Sequence, residues 1–417
     1  MAFQIQRDRM EKAQSQTGNP YQDSPEKGLN LVARIVSGQR RPDAARRQYW
    51  VLNNLLVRKL PGVSARVNLK NELELYARLI SLSDRLSVPY KYQMLKNCSI
   101  VGIGGMFSAG KSCFLNSLLG EDFPFRLPVD QNPSTSAPTY ILGGRERSAE
   151  AVTAHGSVLP LDGDAIEAIS HKFYDKYELR LAQYLSYLSV RAPEFAYSKL
   201  ALLDTPGYNK PDTGVKESEA DKRKAYSQLH SIDYLIWLIS VKNGTINQTD
   251  IEFIRRLELS TKILVVVNQC DLVTPDETDN VVKAVRRDAG RAQLNLFDVV
   301  PYSSHYPDDF GGQAKIRAFF AYAEKGESRV EDVRKEIENI CQQLESRLRD
   351  ERTDAEQSRN AIGSAIFRSQ NVMEIKSLCY MYGNVNRRLS DIRGAERRFQ
   401  ATRQDILERL RVLGKES

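Results

Sequence analysis

Gly105-Met106-Phe107-Ser108-Ala109-Gly110-Lys111-Ser112 is the stretch that decides the fold. It has the spacing Gly-x-x-x-x-Gly-Lys-Ser of a phosphate-binding P-loop. Ahead of it, Ser99–Gly104 is apolar and strand-like; behind it, Cys113–Leu119 is helix-like. The chemistry needs that order. A strand delivers a glycine-rich turn whose backbone N–H groups wrap phosphates, and the following helix adds the positive end of its dipole. Lys111 is placed to neutralise the outer phosphates and the Ser112 hydroxyl to ligate Mg²⁺. Gly110 lets the backbone approach where a Cβ would clash. Gly105, Ser108, Ala109 and Cys113 complete the candidate nucleotide contacts of the turn. A chance glycine-rich turn is the plain alternative, and it leaves the strand–helix context unexplained.

Further along, Ala201-Leu202-Leu203-Asp204-Thr205-Pro206-Gly207 sets an acid at the end of an apolar run. In a P-loop NTPase this aspartate holds the magnesium shell, and the Gly207 N–H can reach the γ-phosphate. Alone, Asp-Thr-Pro-Gly is an ordinary strand-end turn; the upstream P-loop makes it functional. Val265-Val266-Val267-Asn268-Gln269-Cys270-Asp271 follows. A carboxylate at Asp271 can accept from the ring N–H and the amino group of guanine, a pairing adenine does not offer. Asn268 belongs to the same motif, and Gln269 stands where lysine is usual, without the charged stem. The loop Pro128–Pro138 supplies a threonine to sense the γ-phosphate and complete the magnesium shell. Thr135 is the candidate, with Ser134, Ser136 and Thr139 competing. Pro301-Tyr302-Ser303-Ser304 ends the series, with Ser303 as a contact to the guanine edge or a plain loop residue.

Around this core the pattern implies three regions: a helical segment 1–95, an α/β domain 96–325 and a helical segment 326–417. The expected fold class is α/β: a P-loop domain with a mainly parallel sheet and helices on both faces, plus a helical bundle from the two terminal segments. Expected strands are Ser99–Gly104, Thr139–Gly143, Lys199–Asp204, Tyr234–Ser240, Lys262–Asn268 and Asp298–Tyr302, with a helical insertion over Ala165–Val190. Pro61-Gly62 is read as a break, and Leu69, Leu73, Tyr76, Leu79, Ile80 and Leu86 as one helical stripe. Val330 to Leu348 and Leu378 to Leu413 carry apolar repeats of three and four, the second in near heptad register broken by Glu396 and Arg403. Stripes this narrow need partner helices, in a bundle or coiled coil.

The 417 residues are 41% hydrophobic and 27% charged, near globular averages. A net charge of +7 is mild at this length, and no nucleic-acid partner is expected from it. Five scattered cysteines without a Cys-x-x-Cys pairing fit a reduced cytoplasm, and four scattered histidines predict no zinc site. No apolar run nears the about 18 residues of a membrane span, so membrane contact is expected only from outside.

Gly105–Gly120, GMFSAGKSCFLNSLLG, resembles the dynamin superfamily of large GTPases, in particular its bacterial dynamin-like members. Ser108, Phe114-Leu115-Asn116, Leu127-Pro128-Val129 and Pro133–Thr139 belong to that signature. The resemblance runs over roughly 95–310 and implies a nucleotide domain on a neck of flanking helices. It implies dimerisation across the nucleotide face, as a homodimer or paired with another dynamin-like chain, and membrane remodelling in many members. It gives Lys111 and Ser112 to phosphate and magnesium, Ser108 to the phosphate or a cation, and Thr135 and Gly207 to the attacking water. Phe107 departs from the glutamine that orients water in eukaryotic dynamins. The short C-terminal region departs too, and no exposed hydrophobic loop suggests a lipid-binding tip. The arginines from Arg387 to Arg411 read as a solvated face beside a bundle seam or as a contact for anionic lipid. The expected function is GTP hydrolysis with Mg²⁺, dimerisation coupled to neck movement, in the cytoplasm or at a membrane surface. The alternative is a GTP-switched interaction module that hydrolyses slowly; an ATP-using protein is argued against by Asp271.

Overall fold

The computed structural model describes residues 19–37, 44–65, 67, 69, 71–95, 98–106, 108–120, 122–127, 137–153, 156–169, 179, 181–205, 226, 228, 229, 231–257, 259, 261–326 and 329–415. The chain divides into an α/β unit, Met1–Pro42 with Cys98–Gly326, and a helical unit, Asp43–Asn97 with Glu327–Ser417.

Among the described residues, the α/β unit is built on one nine-stranded sheet in the order β4-β3-β5-β2-β6-β1-β7-β8-β9. The strands are β1 Ser99–Gly105, β2 Thr139–Gly143, β3 Ser148–Thr153, β4 Val158–Leu161, β5 Leu185–Ala192, β6 Leu200–Asp204, β7 Tyr234–Ser240, β8 Ile263–Asn268 and β9 Leu296–Pro301. From β6 through β1, β7 and β8 to β9 every pairing is parallel. β2 is antiparallel to β6 but parallel to β5, and β3 is antiparallel to both its neighbours. The sheet is therefore mixed and mainly parallel.

The central strands are apolar throughout because both faces are covered. Every residue of β7 is buried. One alternate set, Ile236, Leu238, Leu264 and Val266, shares a core with Phe114 of helix Lys111–Leu119 and Phe319 of helix Gly312–Glu324. On the opposite face, Trp237 packs against Phe253 of helix Gln248–Arg256, ring centroids 5.6 Å apart. Each fully buried large side chain contributes roughly 1.5–3 kcal/mol.

Two expectations are corrected here. The insertion Ala165–Val190 is not helical throughout: helix Gly163–Ile169 is followed by strand β5, which fits between β2 and β3. Leu185, Tyr187 and Ser189 alternate with the other face, and their neighbouring strands supply the burial that decides the conformation. Nor do the first helices join the other terminal ones. Helix Pro25–Val36 buries Leu31 and Ile35 in the core of the α/β unit, and Arg34 donates to the Pro160 carbonyl on edge strand β4 at 3.2 Å. That edge would otherwise present unpaired backbone groups.

In the helical unit, helix Ala44–Asn54 runs into a π-helical turn, Leu55–Lys59, and on into Leu60–Ser64. Pro61 thus widens the helix rather than breaking it, since the missing N–H and the bulky ring need a looser turn ahead of them. Helix Glu72–Lys91 buries Leu75, Leu79, Leu82 and Leu86, whereas Leu73 is 81% exposed. The stripe expected through Leu73 and Ile80 is therefore rotated, and the observed spacing of four, three and four is the better helical face.

Helices Arg329–Arg368 and Val372–Lys415 form a long hairpin whose seam includes Val333, Ile337, Ile340, Leu344, Leu389, Ile392, Phe399 and Ile406. The two residues that interrupt the heptads bridge the helices: Arg352 to Glu396 at 3.2 Å and Arg403 to Glu345 at 3.1 Å. Arg388 and Arg393 pair with Glu351 and Glu356, so much of the basic face is engaged within the hairpin. At its turn, Phe367 is 94% exposed, with Val372, Met373, Tyr380 and Met381 also exposed. An apolar tip thus stands where no exposed hydrophobic loop was expected. Among the described residues, no helix is long and apolar enough to cross a membrane.

Candidate functional site

β1 ends at the middle of the sheet and feeds the turn that enters helix Lys111–Leu119. Two glycines make the turn feasible. Gly105 has φ 145°, and a Cβ there would lie 2.4 Å from the Leu238 carbonyl oxygen; Gly110 has φ 81°, and a Cβ would meet Asn268 Nδ2 at 2.6 Å. Ser108, with no such excuse, also sits left-handed at φ 65°. A non-glycine residue held there stores strain that its surroundings must offset.

Lys111 lies across the turn, donating from Nζ to the Gly105 and Met106 carbonyls at 3.1 Å each. Ser112 Oγ donates to Asp204 Oδ2 at 3.1 Å, joining the helix to the end of β6. Burial lowers the Lys111 ammonium to about 8 against the opposing pull of Asp204 and Asp250. Burial likewise raises Asp204 to about 6, opposed by Lys111, by Ser112 and by the Thr205 N–H. Burial also pushes up the half-buried Cys113 thiol, with Asp204 reinforcing it. Asp204 Oδ1 is buried with no hydrogen-bond partner. An unsatisfied carboxylate oxygen beside a serine hydroxyl suits a hard cation. Among the described residues no three or more His, Cys, Asp or Glu converge.

The second motif underpins the first. Asn268, fully buried, donates from Nδ2 to the Ala109 carbonyl at 3.0 Å and accepts from Ser304 Oγ at 3.0 Å. Gln269 donates to the Ser108 carbonyl at 3.3 Å. Asp271 accepts from Ser303 Oγ at 2.6 Å, and Ser303 Oγ in turn accepts from the His305 and Tyr306 N–H groups. Gly105, Ser108, Ala109, Gly110, Lys111, Ser112, Cys113, Asp204 and Asn268 are thus gathered around one turn, with Asp271 and Ser303 linked at the neighbouring strand ends. Phe107, Thr135 and Gly207 lie outside the described residues.

Ser240, Asn247 and Asp250 join the site without a motif that marks them, and Asn116 of the Phe114-Leu115-Asn116 signature gains a role. Ser240 ends β7 and donates to Gln269 Oε1. Asn247 caps helix Gln248–Arg256 and donates to Met106 Sδ at 2.9 Å, while Asp250, buried, acts on Lys111. Asn-x-x-Asp at 247–250 is legible as a helix start, but nothing in it points to a P-loop. Asn116 grips Leu127 from both sides, donating to its carbonyl at 2.9 Å and accepting from its N–H at 2.8 Å.

Residues 101–270 match the model of the dynamin family. Over 192 residues the chain is 30% identical to Dynamin-like protein 2 of Campylobacter jejuni subsp. jejuni serotype O:23/36 (strain 81-176), covering 46% of this chain and 29% of that protein. A solved oligomerised bacterial dynamin pair, described as a mechanism for long-range sensing and tethering of membranes, aligns at 19% identity and TM-score 0.44, over 87% of this chain and 53% of that one. Aquifex aeolicus Era bound to GDP and AlF4⁻ aligns at 18% identity and TM-score 0.33, over 55% and 58%. At these scores neither structure adds to the geometry. The chain spans about half the length of the solved bacterial dynamin, and its match covers under a third of the Campylobacter protein. The family match falls on the strands and turns that build the phosphate loop, so residues 101–270 resemble the dynamin family, and what they resemble in particular is a bacterial dynamin-like protein.

Proposed function

We propose that this chain binds GTP with Mg²⁺ at the turn after β1 and hydrolyses it, with dimerisation across the nucleotide face coupled to movement of the helical unit. The observation that carries the reading is the trio Lys111, Ser112 and Asp204, with Asp204 Oδ1 left unpartnered beside the turn. The N–H groups of the turn and the Lys111 ammonium would hold the phosphates, and Ser112 and Asp204 would hold the ion. When bound, Mg²⁺ neutralises charge that develops on the phosphate oxygens. Asp271, already oriented by Ser303, would accept the guanine N–H groups. Thr135 and Gly207 are assigned to positioning the attacking water, and Ser108 to the phosphate side, on the family resemblance. Catalysis would come from positioning and charge neutralisation.

The same reading extends to an anionic membrane surface at the hairpin tip. Between Glu356 and Asp391 Glu374 is the sole acid, against Arg359, Arg368, Lys376 and Arg387, with Arg388 paired to Glu351. Exposed Phe367, Val372 and Met373 add an apolar edge to that positive charge.

Turnover of GTP and ATP by purified protein over a concentration series, with and without anionic liposomes, tests this, with Lys111→Ala as control. Specific activity that rises with protein concentration and is selective for GTP is expected. Binding without turnover would leave the slow GTP-switched interaction module instead. Failure of the protein to co-sediment with the liposomes would remove the membrane claim.

A further inference from the structure

We infer that Gln269 and Ser240 form an uncharged positioning pair that holds the phosphate loop in its binding conformation. The inference rests on the reading of the loop as a phosphate site.

Three observations meet at Gln269. Its backbone is left-handed, φ 66° and ψ 31°, at the end of β8. Its Nε2 donates to the carbonyl of Ser108, the other left-handed non-glycine residue of the site. Its Oε1 accepts from Ser240 Oγ at the end of β7. The orientation of the amide follows from chemistry. A carbonyl can only accept, so the NH₂ must face Ser108; the amide oxygen then faces Ser240, whose hydroxyl must donate. Parallel pairing sets Ser240 opposite Asn268 and fixes the hydroxyl next to the amide.

A lysine would reverse one of these bonds. An ammonium has three donors and no acceptor, so it could donate to the Ser108 carbonyl and to Ser240 Oγ, whereas the amide donates to the first and accepts from the second.

The clamp reaches the loop's N–H groups through the planarity of the peptide unit. In a trans peptide the carbonyl and the following N–H point in opposite directions. Gln269 holds the Ser108 carbonyl toward β8 and Asn268 holds the next one, that of Ala109. The N–H groups of Ala109 and Gly110 are consequently turned away from β8. That of Ala109 closes the turn on the Met106 carbonyl at 3.3 Å. Lys111 then supplies the positive charge of the turn while Gln269 supplies shape. Nucleotide binding should accordingly depend less on ionic strength than it does in a protein with lysine at this position.

Hydrogen exchange of nucleotide-free protein tests the clamp by itself. Gln269→Ala and Ser240→Ala should each speed exchange in a peptide covering 105–112 by about 3–10-fold, the range of one net hydrogen bond. Titration with the fluorescent nucleotide mant-GDP tests its consequence. Each single variant should weaken binding by about 3–10-fold, and the double variant should be no weaker than Gln269→Ala alone, because the two act as one unit. The Gln269→Lys variant should show the steeper salt dependence. The loss should also be the same for mant-XDP as for mant-GDP, since the pair acts on the phosphate loop and not on the base. Unchanged exchange in Ser240→Ala, or losses that multiply in the double variant, would overturn the inference. Faster exchange in both variants, with a wild-type protein that binds no mant-GDP, would support the clamp and refute the nucleotide reading.

Discussion

Asn116→Asp is the sharpest single-atom perturbation that the site offers. The replacement keeps the shape and the acceptor that takes the Leu127 N–H, but sets a carboxylate oxygen where Nδ2 now donates to the Leu127 carbonyl at 2.9 Å. One net hydrogen bond is lost, a buried carbonyl loses its donor, and an anion faces its dipole, together about 2–4 kcal/mol at pH 8. Below neutrality the introduced carboxyl can protonate and donate to the same carbonyl. A penalty of about 2–3 kcal/mol on the charged form corresponds to a folded-state pKa raised by about 1.5–2 units above the ordinary aspartate value of about 3.9. Because the folded pKa is the higher one, the destabilisation is complete above about pH 6 and vanishes as pH falls below about 4. Asn116→Ala, by contrast, should cost about 1–2 kcal/mol at every pH. The assay is urea unfolding at pH 4.5 and pH 8 in a Trp50→Phe background. Trp50 is 54% exposed in the helical unit, so Trp237, fully buried in the sheet, then reports the α/β unit alone. Equal destabilisation by Asn116→Asp at both pH values would show that the amide does not hold Leu127. Leu127 lies eight residues before Thr135 in the chain, so, on the proposed role of Thr135, the same variant should lower GTP turnover more than GTP affinity.

Gly110→Ala should destabilise the α/β unit by about 2–3 kcal/mol, since it adds left-handed strain to a Cβ placed 2.6 Å from Asn268 Nδ2; thermal melts against wild type read it. Cys379 is exposed, whereas burial holds the Cys341 thiol up at about 11, leaving about one part in a thousand as thiolate at pH 8. A thiol reagent at pH 8 should therefore label Cys379 at once and Cys341 only after unfolding, as peptide mapping would show. Glu345 accepts from Arg349, Gln400 and Arg403, so Glu345→Ala should cost the helical unit about 1–3 kcal/mol in chemical unfolding followed by circular dichroism.

What could be read from the sequence was what lies contiguous in it. The six expected strands are present, and most of them, β7 and β8 above all, are apolar runs that both faces of the sheet bury, a signal that needs no partner to be seen. β3 was missed because Ser-Ala-Glu-Ala has no strand propensity of its own; its conformation is imposed by β4 and β5 on either side. The site divides in the same way. Gly105 to Ser112 act from one turn and declare themselves by spacing. Ser240 and Asn116 act through the parallel register of β7 with β8 and through the return of the chain at Leu127, neither of which is encoded by local spacing. Gln269 illustrates the limit. As a residue type it looked like a lost lysine; with Ser240 beside it, the amide both donates and accepts.

The helical unit shows why the heptad pattern was legible and yet incomplete as a guide. Near its ends the hairpin is joined by Ala44–Asn54, Leu60–Ser64 and Glu72–Lys91, and there the seam residues are fully buried. Beyond Ala355 on the first helix and before Leu389 on the second, the hairpin has no fully buried residue, although Ile362, Ile366, Ile375, Leu378, Tyr382 and Val385 continue the apolar spacing. Two helices alone cannot enclose a residue, because each seam position is covered from one side only. The periodicity is the same along the whole length; the number of neighbours differs. Arg388–Glu351 and Arg393–Glu356 straddle the point where the fully buried seam ends. Exposed pairs of this kind add at most about 1 kcal/mol each, so they fix register more than they replace a core. The distal hairpin therefore carries apolar surface that its own unit does not bury, set among basic residues, and that surface is where contact outside the chain should first be sought.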